Sequence, residues 1–148
     1  MHRVSCAPLR YVQGEGITER LAAEMAALGL SGPVLVVGDD SAVSALAPVW
    51  AASMAAAGWQ HRVRVFGGEC TAAEIDTLAA EARSLGARAV VGAGEGKCLD
   101  AARAAAAAVN LPFVSCPTVA STEASWIHGR DPDLVLVDSR VITRSGSR

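Results

Sequence analysis

Apolar and polar positions along this chain fall into two alternating patterns. Short, largely apolar runs recur at Pro33–Gly38, His61–Phe66 (where valine alternates with arginine), Ala87–Gly92, Pro112–Cys116 and Leu134–Val137. Unbroken runs rich in valine are the mark of strands buried on both faces, as in a parallel sheet. Between them lie longer stretches in which apolar residues return every three or four positions. Ile17, Leu21, Met25 and Leu28 make the first, and Gly29 ends it. Val43, Leu46, Trp50 and Met54 make the second, closed by Gly58, with Pro48 placed near its first turns, where proline is tolerated. Thr71-Ala72-Ala73-Glu74 reads as a capping box. It opens a third helix that turns Ile75, Leu78, Ala82 and Leu85 inward and stops at Gly86. A fourth helix spans Lys97 to Val109 and presents an alanine-rich face.

Strands alternating with helices are the sequence form of βαβ units. The expected fold class is therefore α/β, a Rossmann-like doubly wound layer with a mainly parallel sheet. The 148 residues suit one domain. We expect it to run from 1 to 142, with a polar tail at 143–148 (Thr143-Arg144-Ser145-Gly146-Ser147-Arg148).

Composition refines this picture. Apolar residues make up 51% but aromatic ones only 4%, so the core must be built from alanine, valine and leucine, which let helices lie close to a sheet. The formal charge of -2, with no basic patch, speaks against nucleic acid as a partner. Two uncharged stretches, Ser41–Gln60 and Ala104–Thr122, are interrupted by proline and are dominated by small residues. They fall short of the ~20 strongly apolar residues of a membrane span. Cys6, Cys70, Cys98 and Cys116 form no C-x-x-C pair. Together with an N-terminus that lacks an apolar signal core, they are read as reduced thiols of a cytoplasmic protein. His2, His61 and His128 are scattered, so no metal site and no catalytic residue is assigned within the chain.

In open α/β sheets ligands bind beyond the carboxyl ends of the strands. Three such ends carry suggestive residues. Gly92-Ala93-Gly94-Glu95-Gly96-Lys97-Cys98 leaves a strand and enters a helix. Glycines and free helix-start N–H groups favour a phosphate, and Lys97 adds positive charge. The segment is neither the usual dinucleotide glycine pattern nor a P-loop, which would need Gly at Val91 and Ser or Thr at Cys98. A tight strand-to-helix turn accounts for it equally well. Cys98, at a helix start, is a candidate for a lowered thiol pKa or simply a small side chain. At Gly38-Asp39-Asp40, an acidic residue either accepts hydrogen bonds from a ribose or caps the next helix. At Pro117-Thr118-Val119-Ala120-Ser121-Thr122-Glu123, hydroxyls and a carboxylate either hold a ligand or form an ordinary polar loop.

Taken together and in order, these segments resemble the N-terminal domain of the glycerol dehydrogenases, in the iron-containing alcohol dehydrogenase and dehydroquinate synthase-like superfamily. The same order includes Tyr11-Val12-Gln13-Gly14, Phe66-Gly67-Gly68-Glu69-Cys70, Glu74-Ile75-Asp76 and Asp131 to Asp138. The resemblance runs from about residue 8 to 143 and implies NAD as cofactor, oxidising glycerol to dihydroxyacetone. It places Asp39 on the adenosine ribose and Gly94, Gly96 and Lys97 around the pyrophosphate. Glu95 and Cys98 share that segment, Thr118 and Ser121 line the nucleotide site, and Glu123 stands where an aspartate contacts substrate.

The departures are specific. Glu95 replaces the middle of three consecutive glycines, setting a carboxylate near the pyrophosphate and restricting the backbone. Glu123 is one methylene longer than the expected aspartate. The stretch between Ala124 and Asp131 is shorter than in the family. We expect the family's helical domain, whose Asp and two His hold a divalent metal (zinc or iron), to be absent from this chain. Two expectations follow. One is a nucleotide-binding half, inactive alone, that takes a nucleotide and a small polyol and pairs with a missing helical domain. The other is a non-catalytic relic or interaction module that self-associates through exposed apolar surface. A receiver-like signalling domain ranks behind both, because the strand ending at Gly92 offers no acceptor aspartate.

Overall fold

The computed structural model describes residues 10–119 and 132–142. Among the described residues six strands and four α-helices follow one another, alternating up to β5. They are β1 (Arg10–Gly14), α1 (Leu21–Ala27), β2 (Val34–Gly38), α2 (Asp40–Ala57), β3 (His61–Val65) and α3 (Ala72–Leu85). β4 (Ala89–Gly94), α4 (Gly96–Ala108), β5 (Phe113–Pro117) and β6 (Leu134–Asp138) follow. The strands form one sheet in the order β1-β6-β5-β4-β2-β3, and every neighbouring pair is parallel. From β2 the chain steps outward to β3, then returns to lay β4 on the other side of β2. That reversal makes β2–β6 a doubly wound sheet, with β1 added beyond β6, and its switch point lies between β2 and β4.

Side-chain alternation divides the core into two layers. Val34 and Val36 of β2 face α1 and α2, where Leu21, Met25, Trp50 and Met54 are fully buried. Leu35 and Val37 face α3 and α4, against Leu78, Ala82, Ala102 and Ala105. The alanine face of α4 brings it so close that a Cβ at Gly92 would stand 2.9 Å from the Ala102 methyl. Small residues thus set the helix-to-sheet spacing.

The structure alters several expected elements. The first helix is divided: Ile17–Arg20 is a 3-10 turn and the α-helix starts only at Leu21. Asp138 takes the Thr18 N–H and hydroxyl, fixing that turn. Helix α2 begins at Asp40, so Pro48 lies in mid-helix rather than near its start. It is tolerated there because Ser44, whose carbonyl loses a helical partner, and Pro48 are both exposed. Thr71 Oγ1 accepts from the Glu74 N–H at 3.1 Å, but Glu74 reaches the Gly67 N–H at 2.9 Å, so the capping box is only half made. Strand β1 has no counterpart in the expected set. At this edge only Val12 packs into the core, and Tyr11 and Gln13 are exposed, too few apolar positions for a strand pattern.

Among the described residues no helix is long and apolar enough to cross a membrane. Ser121, Glu123, His128 and the expected tail at 143–148 lie outside the described residues.

Candidate functional site

The carboxyl ends of β2, β3, β4 and β5 meet along one edge of the sheet. The junction after β4 is shorter than the sequence suggests. The strand runs two residues past Gly92 to Gly94, Glu95 alone occupies the N-cap, and α4 starts at Gly96. No loop intervenes.

Gly94 is demanded by close approach. Its φ of 153° is open only to glycine, and a Cβ there would stand 2.8 Å from Asp39 Cγ and 3.2 Å from Cys98 Cβ. Gly96 is the opposite case, since a Cβ on it would meet nothing within 4 Å. Space is therefore open in front of the α4 start, where N–H groups of the first turn have no helical acceptor. Glu95 takes an ordinary extended conformation (φ −95°, ψ −176°). The expected backbone restriction does not arise, because a Cβ is accommodated at this position; only the charge of Glu95 remains to act. That side chain makes no capping hydrogen bond.

Asp39 joins the two helix starts on either side of the switch point. Its Oδ1 accepts from the Ala42 N–H at 3.0 Å, capping α2, and its Oδ2 accepts from the Glu95 N–H at 3.1 Å. Its own N–H donates to Ala93 O at 3.2 Å. Capping is thus one of its roles, and the carboxylate keeps lone pairs for a further donor. An open groove of about 640 Å³ adjoins it, lined by Asp39, Asp40, Ser41, Ser44, Ala45 and Glu95. Thr118 stands beside the same junction, its N–H donating to Gly94 O at 3.1 Å.

Cys98 turns inward. It is 1% exposed, and its thiol lies 3.5 Å from Ala93 O and 3.7 Å from Val37 O. Burial, with the Asp39 charge behind it, pushes the thiol up to about 12. A thiolate favoured by the helix start is thereby corrected: desolvation outweighs the helix terminus, and Cys98 packs as a small residue. Lys97 points outward, and its Nζ lies 3.3 and 3.2 Å from the two carboxylate oxygens of Glu69. Glu69, in the turn that follows β3, was not among the expected site residues; its place after a strand end in this sheet was the available signal. The groove, the junction and Thr118 thus form one constellation. Ser121 and Glu123 fall outside the described residues.

A doubly wound parallel sheet, with a groove beside a glycine-flanked helix start at its switch point, defines a Rossmann-like α/β domain. Residues 8–128 match the model of the family described as iron-containing alcohol dehydrogenase. The chain belongs to that family, and so to a family of alcohol-type oxidoreductases. It is 33% identical to a glycolaldehyde reductase of Halobacterium salinarum, covering 100% of this chain and 45% of that protein. A glycerol dehydrogenase of Escherichia coli O6:H1 is 31% identical, covering 100% and 44%. Among solved structures, glycerol dehydrogenase from Schizosaccharomyces pombe superposes with a TM-score of 0.83 at 26% identity, covering 95% of this chain and 40% of that one. A probable glycerol dehydrogenase from Sinorhizobium meliloti gives 0.78 at 32% identity, covering 91% and 40%. The chain spans less than half the length of these relatives.

Proposed function

We propose that this chain supplies the nucleotide-binding half of an NAD-dependent polyol dehydrogenase of the glycerol dehydrogenase type. The observation that carries the reading is the contrast across the β4–α4 junction. Gly94 is closed against Asp39, while Gly96 faces open space at a helix start with Lys97 beside it. A pyrophosphate fits there, since helix-start N–H groups and a lysine favour an anion while Gly96 leaves room for it. Asp39 and the Ser41 hydroxyl face the adjoining groove, where a ribose diol can donate to the carboxylate. Thr118, and by resemblance Ser121, complete the nucleotide site, and Glu123 is assigned to the polyol.

NAD, when bound, supplies a nicotinamide that accepts hydride from the alcohol carbon. The residues described here bind and orient it. The divalent metal of the family does not fit them: among the described residues there is no group of three or more His, Cys, Asp or Glu able to hold one. By resemblance, metal ligation belongs to the family's helical domain, and we expect these residues to bind nucleotide without oxidising glycerol. The described cysteines, Cys70, Cys98 and Cys116, are free thiols, which supports a cytoplasmic location.

The test is a calorimetric titration with NADH of the chain and of Glu95→Gln. The extended backbone at Glu95 takes either residue, so the variant removes only a charge near the pyrophosphate. We expect binding that tightens by roughly three- to tenfold in the variant, the scale of one screened charge pair. Folded protein that binds NADH in neither form would refute the nucleotide site and favour a non-catalytic interaction module.

A further inference from the structure

A short arm after β3 carries a carboxylate to the place where the cofactor's phosphates are proposed to sit. Phe66 anchors its base: its N–H donates to Gly38 O at 2.7 Å, and its ring is buried in the layer formed with α3 and α4. Gly67 N–H donates to the Glu74 carboxylate at 2.9 Å. A Cβ on Gly67 would stand 3.1 Å from that same carboxylate, so the arm lies tight against the start of α3. Gly68 takes a φ of 106°, turning the chain back. Thr71 N–H then closes onto Glu69 O at 3.0 Å. Each backbone bond of the arm thus fixes the position from which Glu69 reaches Lys97.

The pair it makes is complete but weakly held. Both carboxylate oxygens of Glu69 lie within 3.3 Å of Lys97 Nζ. The two side chains are 70% and 66% exposed, so water screens their attraction and either can be drawn away. A pyrophosphate at the α4 start would bring two negative charges to the same ammonium, with helix N–H groups adding to the attraction. Glu69 and the ligand cannot both have first claim on Lys97.

We propose that Glu69 stands in for the phosphate when no nucleotide is bound, and that nucleotide binding proceeds by exchange of its carboxylate for the pyrophosphate on Lys97. Glu69 is then a positioning residue that holds Lys97 over the helix start and sets the affinity for phosphate-bearing ligands. This rests on the nucleotide reading above.

The test compares titrations of NADH and of adenosine, which lacks phosphate, into the wild-type chain, Glu69→Gln, Lys97→Ala and the double variant. Both residues are exposed, and a thermal melt of each variant checks that the fold is kept. We expect Glu69→Gln to tighten NADH about threefold to tenfold at low salt, in proportion to a screened ion pair, and to leave adenosine unchanged. The gain should shrink at high salt and be smaller in the Lys97→Ala background. NADH affinity that is unchanged or weaker in Glu69→Gln would overturn the exchange while leaving the nucleotide site standing. Adenosine tightening to the same degree would overturn it also, because the effect would then act through the fold. Wild-type protein that binds neither ligand would refute the nucleotide site itself, and the exchange with it.

Discussion

Replacing Asp138 with alanine is expected to destabilise the folded chain by roughly 2–4 kcal/mol, the cost of stranding two buried donors and losing two part-buried bonds of one charged acceptor. Asp138 is 4% exposed at the end of β6. Its Oδ1 accepts from the N–H groups of Gly16 at 2.8 Å and Arg140 at 3.0 Å. Its Oδ2 accepts from the Thr18 N–H at 2.9 Å and the Thr18 hydroxyl at 2.7 Å. Both oxygens are thus satisfied by two chain segments that lie far apart in sequence, so one side chain ties the turn after β1 to the last strand. Alanine leaves the buried Thr18 N–H and hydroxyl without their acceptor. Urea unfolding should show a lower midpoint with an unchanged slope.

The same residue sets a pH dependence. Burial acts to raise the Asp138 pKa, but the hydrogen bonds from Thr18, Arg140 and Gly16 outweigh it and hold the carboxyl below its usual value. A group depressed on folding stabilises the native state fully above its unfolded pKa, about 3.9. That contribution is lost as pH falls through the lower, folded value. The gap in stability between wild type and Asp138→Ala should therefore be constant near neutrality and narrow only in strong acid.

Gly94→Ala is expected to cost roughly 2–4 kcal/mol and to abolish nucleotide binding, because it combines glycine-only backbone with a steric collision. The methyl would be driven into the Asp39 carboxylate. Asp39 would have to leave, releasing the Ala42 N–H at the start of α2 and the Glu95 N–H at the start of α4. Both helix starts that border the groove would loosen together. Gly96→Ala is the matched control for stability alone: its Cβ meets nothing within 4 Å, so stability should stay within about 0.5 kcal/mol, while NADH affinity should fall because the methyl enters the space given to the pyrophosphate. Thermal melts and NADH titrations of the two variants read both effects.

Much of this architecture is legible in the chain itself, for reasons that particular residues make plain. Valine runs such as Val34–Val37 face a helix layer on each side, and their pattern survives any detail of packing. Gly58 and Gly86 close their helices with φ of 76° and 71°, a local requirement that glycine announces. The Asp39 cap is equally local. What escapes the sequence depends on distant contacts. Ala93-Gly94 looks like a loop when read alone, yet it is fully buried strand, with the Asp39 carboxylate leaving no room for a side chain at Gly94. The role of Asp138 is set by Gly16 and Thr18, some 120 residues earlier. The Lys97–Glu69 pair joins the first turn of α4 to the turn after β3, across the whole of α3 in sequence. Cys98 shows a local rule overturned: a helix start favours the thiolate, but full burial beneath Val37 and Ala93 raises the thiol instead.

The central claim is that nucleotide sits at the switch point, and amide chemical shifts of the ¹⁵N-labelled chain during NADH titration test it most directly. The account expects progressive shifts at Asp39–Ala42, at Gly94–Cys98 and at Thr118, with the outer edge of β3 and the far end of α4 unmoved. Shifts confined to another surface, or none at saturating NADH in a folded sample, would contradict it.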